Sequence, residues 1–345
     1  MTAPVLFVVP AFNRAAELPR TIGAIAAQDW PAEAISILLV DNGSTDGTEA
    51  VVASLAARLP VRLGYRRKAP EGPAAARNLG LAAAPADGFV AFVDSDVELD
   101  RGWTRATVAA MEADPRLAMV GGRVLFAHRP DVLNAYGGAL SRLGLAWDLE
   151  EGAPAITAQA PRDVAWANAS ALLCRPWPLI EAGGFDAAFF YAYEEPDLAL
   201  RLALAGHRCR VVPDATALHH VGASVGPSHP DIVFHAVKNR LRMGLKSFGA
   251  RRLAWWLPAA MLHALADAAL HPPRGARWRG LAWNLRHLPA TLGLRRTAQA
   301  LRRLPDEEAF RHVVPRWFPP TRLAGLRRRA VDGLARGAAT DDRTA

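Results

Sequence analysis

Two aspartates stand one residue apart in Phe92-Val-Asp-Ser-Asp-Val97. On an extended chain Asp94 and Asp96 point to the same side. Neighbouring carboxylates repel and favour a cation, and an all-oxygen site suits Mg²⁺ or Mn²⁺ bridging to a diphosphate. A solvated acidic loop gives the same spacing. A second group, Glu194, Glu195 and Asp197, opens a helix after an aromatic run. Carboxylates are favoured at a helix N-terminus for electrostatic reasons alone, yet one of them could act as a general base, with the aromatics packed on a sugar face. Asp41 begins the turn Asp41-Asn-Gly-Ser-Thr-Asp-Gly47 after a strand. There it can accept from a base or ribose, or simply belong to a polar turn that caps the next helix. Arg77 and Asn78 follow Glu71-Gly-Pro and could face a nucleotide, hold the D-x-D loop, or lie on a helix surface. His219 and His220 come late. Either could add a metal ligand near the D-x-D, although a lone buried histidine is more often structural.

These residues need a scaffold, and the hydrophobic pattern predicts one. Val5–Pro10, Ile35–Val40, Val61–Tyr65 and Gly88–Val93 read as strands. Glu17–Gln28, a segment opening near Asp46 and Ala74–Ala83 read as the helices between them. Strands alternating with helices predict an α/β fold with a mainly parallel sheet and helices on both faces. Further on, Trp103–Ala113 reads as helix, Leu117–Phe126 as strand, Trp166–Cys174 as extended, Glu194–Ala205 as helix and Cys209–Val212 as strand. Residues 127–162 are broken by Gly and Pro and give no clear element. Ala236–Phe248 sets Val237, Leu241, Leu245 and Phe248 on one face and Lys238, Arg242 and Lys246 on another.

The chain of 345 residues has room for one large domain or a domain with an appendage. Charge divides along it: residues 1–234 carry a net −7 and residues 235–345 a net +15. The acidic body suits cations or a metal-bound nucleotide, and the basic remainder suits an anionic membrane surface. Trp255 and Trp256 in the apolar stretch 253–270 fit the headgroup level, and helices packed on the body are the plainer alternative. Nucleic acid is not an expected partner, because no recognised binding motif accompanies the basic stretch. Two cysteines, Cys174 and Cys209, argue against a disulfide scaffold. Met1–Pro4 runs into the first strand without a basic region or cleavage site, so a cytoplasmic chain is expected. No G-x-G-x-x-G follows the first strand, which argues against a dinucleotide-dependent oxidoreductase.

The order of the motifs resembles the family-two glycosyltransferases with the GT-A fold, in particular their bacterial rhamnosyltransferase-like branch. Val8-Val-Pro-Ala-Phe-Asn-Arg14, Val40-Asp-Asn-Gly-Ser44, Ala76-Arg-Asn-Leu-Gly80, Val93-Asp-Ser-Asp96, Gly183-Gly-Phe-Asp186, the acidic helix start and the late histidine carry it over residues 4–235. The resemblance implies a Rossmann-like catalytic domain over 1–234; beyond it the basic, apolar composition reads as a helical extension over 235–330 and the polar end as a disordered tail over 331–345. The resemblance further implies a nucleotide-diphosphate sugar donor held by Pro10, Ala11, Phe12, Asn13, Arg14, Asp41, Asn42, Gly43, Arg77, Asn78, Asp94, Ser95 and Asp96. The metal falls to Asp94, Asp96 and His219, with His220 the competing choice. Trp166, Gly184, Phe185 and Asp186 would meet a glycan or lipid-linked acceptor. The family's Glu-Asp pair is Glu194-Glu195 here, so Glu195 inherits the role of base, with Glu194 and Asp197 as alternatives. Asn168-Ala-Ser-Ala171 stands where the family tends to have Gly-Ala. The implied reaction is an inverting transfer in cell-envelope glycan or polysaccharide synthesis. A nucleotide-sugar-binding or regulatory module without turnover is the competing expectation.

Overall fold

The computed structural model describes residues 2–221 and 228–320. The expected disordered tail lies outside the described residues. The chain begins β1 (Val5–Ala11), α1 (Leu18–Ala26), β2 (Ile35–Asp41), α2 (Thr48–Ala56), β3 (Arg62–Arg67), α3 (Pro73–Ala82), β4 (Phe89–Val93), β5 (Val97–Leu99) and α4 (Trp103–Ala113). It continues through β6 (Leu117–Phe126), β7 (Arg129–Ala135), β8 (Gly138–Leu140), β9 (Ala146–Asp148), β10 (Arg162–Val164), β11 (Ala171–Cys174), α5 (Pro176–Glu181), α6 (Glu194–Leu204) and β12 (Arg208–His219). The last helices are α7 (Pro230–Ser247), α8 (Ala250–Leu270), α9 (Arg274–Arg286), α10 (Leu288–Ala300) and α11 (Asp306–Ala309).

The central sheet runs β10-β12-β6-β11-β4-β1-β2-β3. Its β4-β1-β2-β3 half is wholly parallel, as the strand–helix alternation predicts. Alternate side chains feed two cores. Phe7, Val9, Ala91 and Val93 join the core under α1 and α4, while Leu6, Val8, Val90 and Phe92 join the core under α3 and α6. Two buried faces explain why these strands read as continuous apolar runs. Helix α3 lies close on β1: a Cβ at Gly80 would sit 2.4 Å from Val8, so only glycine lets the helix approach.

Two strands bring remote residues to one edge. β11 enters antiparallel between β4 and β6, pairing Ala171 with Val93, so the start of β11 meets the end of β4. β12 runs parallel to β6 and antiparallel to β5, pairing His219 with Val97. The unassigned stretch 127–162 holds β7 and the short β8–β9 hairpin, and only Ala171–Cys174 of the expected extended segment 166–174 is strand. The helix expected to open near Asp46 begins at Thr48, with Gly47 as the N-cap of α2. Asp46 nevertheless accepts from the Thr48 N–H at 3.2 Å and the Ala15 N–H at 2.9 Å.

The basic face expected on α7 is not exposed. Lys238, Arg240, Arg242 and Lys246 are all buried, and the apolar stripe of Val237, Leu241 and Leu245 is buried too. Lys246 Nζ lies 2.6 Å from Asp186 and 2.8 Å from Asp197, and Arg242 holds Asp186 through both oxygens. Leu241, Phe248, Trp256 and Ala260 join the same core as Leu6 and Val8. Helices α7 and α8 therefore complete the core on that face of the sheet. Trp256 lies over Gly244, where a Cβ would come within 2.2 Å of its ring.

Candidate active site

The carboxyl ends of β1, β2 and β4 open on one edge of the sheet, where ligands of open α/β folds gather. Asp41, at the end of β2, accepts from the Ser44 N–H at 2.8 Å and the Tyr65 hydroxyl at 2.6 Å. Burial pulls its carboxyl upward, but these hydrogen bonds outweigh it and hold Asp41 below its ordinary value. Asn13 adopts a left-handed conformation at φ 52°. Its carboxamide oxygen accepts from the Thr45 N–H at 2.8 Å, and its own N–H donates to Ser44 Oγ at 2.8 Å. The β1 and β2 loops are thus tied together, with Phe12 left 53% exposed beside them. Asn42 accepts from the Glu71 N–H at 3.1 Å, which adds the loop before α3. The buried Ala11 accepts from the Asn42 N–H at 2.8 Å, and Pro10, Arg14 and Gly43 adjoin these contacts along the chain.

The D-x-D segment is not extended. It turns between β4 and β5, with the Val97 N–H donating to the Asp94 carbonyl at 3.1 Å. The two carboxylates consequently take different partners. Asp94 accepts from Arg77 Nη2 at 3.0 Å. Burial nonetheless leaves Asp94 above its ordinary value, against the pull of Arg77. Asp96 lies 3.5 Å from His219 Nε2 and 4.0 Å from Arg14. Burial raises the Asp96 carboxyl, but His219 and then Arg14 outweigh it and bring it below its ordinary value. Ser95 is buried, its carbonyl accepting from the Thr21 hydroxyl at 2.9 Å.

Arg77 is the hub. It is buried, and Nη1 stands 3.8 Å from Glu195 and 4.0 Å from Glu194, while Nη2 holds Asp94. Carboxylates separated by a hundred residues therefore share one guanidinium. Glu195 also accepts from the Ala169 N–H at 3.3 Å. Burial, followed by the neighbouring Glu195, pushes Glu194 up to about 8, and Arg77 only partly counters this. Ala192 and Tyr193, just before these glutamates, are both left-handed, at φ 64° and 71°. Such backbone needs support. Asn239 of α7, fully buried, donates to the Tyr191 and Ala192 carbonyls at 2.8 and 2.7 Å.

Several expected ligand contacts are instead structural. Asp197 has no exposed surface and is bound by Arg201 and Lys246, so it is a counter-ion and does not reach the cleft. Asp186 is held by Arg242 and Lys246. Phe185 is buried edge-on to Phe92, and Trp166 is buried against Gly138. Gly184, at φ 66°, would bring a Cβ within 2.6 Å of Asn78 Oδ1. Asn78 exchanges hydrogen bonds with both backbone groups of Phe185 at 2.8 Å, so it positions the loop. His220 turns to Glu98 at 3.5 Å, away from the pair that Asp96 and His219 form.

The sequence reading missed Asn134, Tyr65 and Asn239. Asn134 Oδ1 lies 2.8 Å from His219 Nδ1. A carboxamide oxygen only accepts, so Nδ1 carries the proton and Nε2 faces Asp96. That arrangement suits a cation: ligands of one octahedral ion at about 2.1 Å stand roughly 3 Å apart, near the 3.5 Å between His219 Nε2 and Asp96 Oδ1. Among the described residues no three His, Cys, Asp or Glu side chains gather tightly enough to hold a metal by themselves. Two protein ligands completed by substrate phosphates and water are what Mg²⁺ commonly uses.

Residues 6–133 match the family model described as glycosyl transferase family 2. The chain is also 31% identical over 219 residues to the N-acetylglucosaminyl-diphospho-decaprenol L-rhamnosyltransferase of Mycobacterium tuberculosis, covering 56% of this chain and 68% of that protein. The chain belongs to glycosyltransferase family 2. It is likewise 31% identical over 216 residues to the pre-mycofactocin glycosyltransferase of the same organism, covering 62% of this chain but only 42% of that protein's length. Two solved structures show the GT-A fold that this family-two chain shares. The mannosyltransferase of Pyrobaculum calidifontis with GDP-Man and Mn²⁺ superposes with a TM-score of 0.53 at 19% identity, covering 87% of this chain and 86% of that one. GalNAc-T7 with UDP, GalNAc and Mn²⁺ gives 0.60 at 14% identity, covering 82% of this chain and 57% of that one.

Proposed function

We propose that the chain transfers a sugar, with inversion, from a nucleotide-diphosphate donor to a hydroxyl of a glycan or lipid-linked acceptor in cell-envelope glycan synthesis. The observation that carries this reading is the placement of Arg77, one guanidinium within 4.0 Å of Asp94, Glu194 and Glu195. It ties the donor-side turn to the helix that carries the base. The rhamnosyltransferase relative, whose name specifies a lipid-diphosphate-linked sugar, supports a lipid-linked acceptor.

Asp41 and the β1 and β2 loops form the base and ribose pocket, with Asp41 kept ionised by Ser44 and Tyr65. Asp96 and His219 would hold the metal, a reading supported by the Mn²⁺ in both structural neighbours. A divalent ion, when bound, offsets charge on the departing diphosphate. Glu195 takes the proton from the acceptor hydroxyl as that oxygen attacks the anomeric carbon. Arg77 and the Ala169 N–H aim its carboxylate. Glu194, its carboxyl raised by burial and by Glu195, is the buried neighbour of that base.

Thermal-shift titration with nucleoside diphosphates, with and without Mn²⁺, tests the reading. Stabilisation by a nucleoside diphosphate that requires Mn²⁺ and is lost in Asp96→Ala and His219→Ala is expected. Metal-independent stabilisation, equal in both variants, would refute the metal assignment. Nucleotide-sugar binding without any hydrolysis or transfer would favour a binding module over an enzyme.

A further inference from the structure

Helix α8 is long and apolar enough to cross a membrane by composition, yet only 22% of its apolar window is buried in the protein. Its inward stripe is narrow: Trp256, Ala260, Ala264 and Ala268, spaced by four. The opposite face carries Trp255, Leu262, Leu265 and Leu270, exposed by 42%, 72%, 42% and 67%. Trp317 and Phe318, also exposed, extend this face, meeting Trp255 at 6.1 Å and His263 at 5.6 Å. A contiguous apolar face of this size signals a partner.

Charge identifies that partner. Residues 250–300 hold eight arginines and one carboxylate, Asp267. Asp267 is already bound to Arg277 and His271. Arg251 and Arg274 bracket the ends of α8 and are exposed, as are Arg279, Arg286 and Arg296 on the helices that follow. Near the helix start, Asp306 accepts from the Gly249 N–H and pairs with Arg302, and Glu307 lies 3.8 Å from Arg251. A second copy would bring like charge against like charge across this face. Anionic lipid satisfies both the leucines and the arginines. The buried stripe of Trp256, Ala260, Ala264 and Ala268 packs α8 onto the protein, with the Trp256 ring over Gly244 of α7, so the helix lies in the surface plane and does not insert across it.

We infer that the outer face of α8, with Trp317 and Phe318, is an in-plane docking surface for an anionic lipid bilayer. Helix α7 links that surface to chemistry. Beyond supporting Trp256, it donates from Lys238 to the Ala188 carbonyl at 2.6 Å and from Asn239 to the Tyr191 and Ala192 carbonyls. Docking is therefore coupled, through α7, to the loop leading into Glu194-Glu195. Only this last step rests on the glycosyltransferase reading; the lipid contact stands without it.

Flotation of the full chain tests the inference, using phosphatidylcholine vesicles with and without phosphatidylglycerol. The chain should float with the phosphatidylglycerol vesicles and lose affinity as salt rises. The double variant Leu262→Asp, Leu265→Asp should lose about tenfold or more in partitioning, while keeping the nucleotide thermal shift of the unaltered chain. Equal flotation of variant and unaltered chain, equal flotation on both vesicle types, or a concentration-dependent dimer that the double variant dissolves would overturn it. The same variant's transfer to a soluble acceptor reports on the enzymatic reading separately.

Discussion

Replacing Glu194 with glutamine should make the protein more stable in base and leave it unchanged in acid. Glu194 is 4% exposed and adjoins Glu195, and its carboxyl stands near 8 against an ordinary 4.5. Between those values the folded chain keeps a proton that the unfolded chain has released. Stability is then full below the unfolded value and falls as pH rises toward 8. Each unit of difference is worth about 1.4 kcal/mol, so the loss across the window is on the order of 3–5 kcal/mol. Glutamine copies the neutral carboxyl in shape and titrates nowhere. Urea denaturation at about pH 5 should give equal stabilities within roughly 1 kcal/mol, and at about pH 8.5 the Glu194→Gln variant should be the more stable by on the order of 3 kcal/mol. Parallel stability curves for the two proteins would refute the buried, proton-holding Glu194.

Lys246→Met leaves Asp186 and Asp197 short of a buried cation and should cost about 3–5 kcal/mol in urea denaturation, partly recovered by adding Asp186→Asn. Burial would raise Asp186, but Lys246 and Arg242 hold its carboxyl well below the ordinary range. Its stabilisation is present above the unfolded value and disappears as pH falls through the folded one, so the double variant should show a shallower acid limb. Asn239→Leu removes both donors to the left-handed turn before the glutamates. Steady-state kinetics should show kcat down about tenfold or more with donor KM unchanged, since the base-bearing loop loosens while the donor pocket stays intact.

Much of the fold was legible because it depends on local pattern. Val5–Pro10 and Gly88–Val93 read as buried strands since both their faces meet helices, and Trp103–Ala113 and Leu117–Phe126 appear with the boundaries their periodicity gives. Residues 127–162 were opaque because β8 and β9 are three residues each, and β7 joins β6 with two register shifts. The α7 stripe was read correctly, but a helical pattern does not reveal what stands opposite its polar face. Asp186 and Asp197, 40 to 60 residues away, convert an apparent surface of cations into an interior one. The same gap affected the site. The motifs named Asp94, Asp96, Arg77 and the glutamates, while the turn that separates the two aspartates and the Asn134 contact to His219 depend on strand pairing that no spacing encodes.

The most direct test compares Glu195→Gln with the unaltered chain in two assays on one preparation: calorimetric binding of the nucleoside diphosphate that thermal shift selects, with Mn²⁺, and turnover of its nucleotide sugar. Affinity within about twofold and turnover lower by about 10²–10⁴ are expected for loss of a general base alone. Turnover near that of the unaltered chain would contradict the assignment, because a base aimed by Arg77 cannot be dispensable.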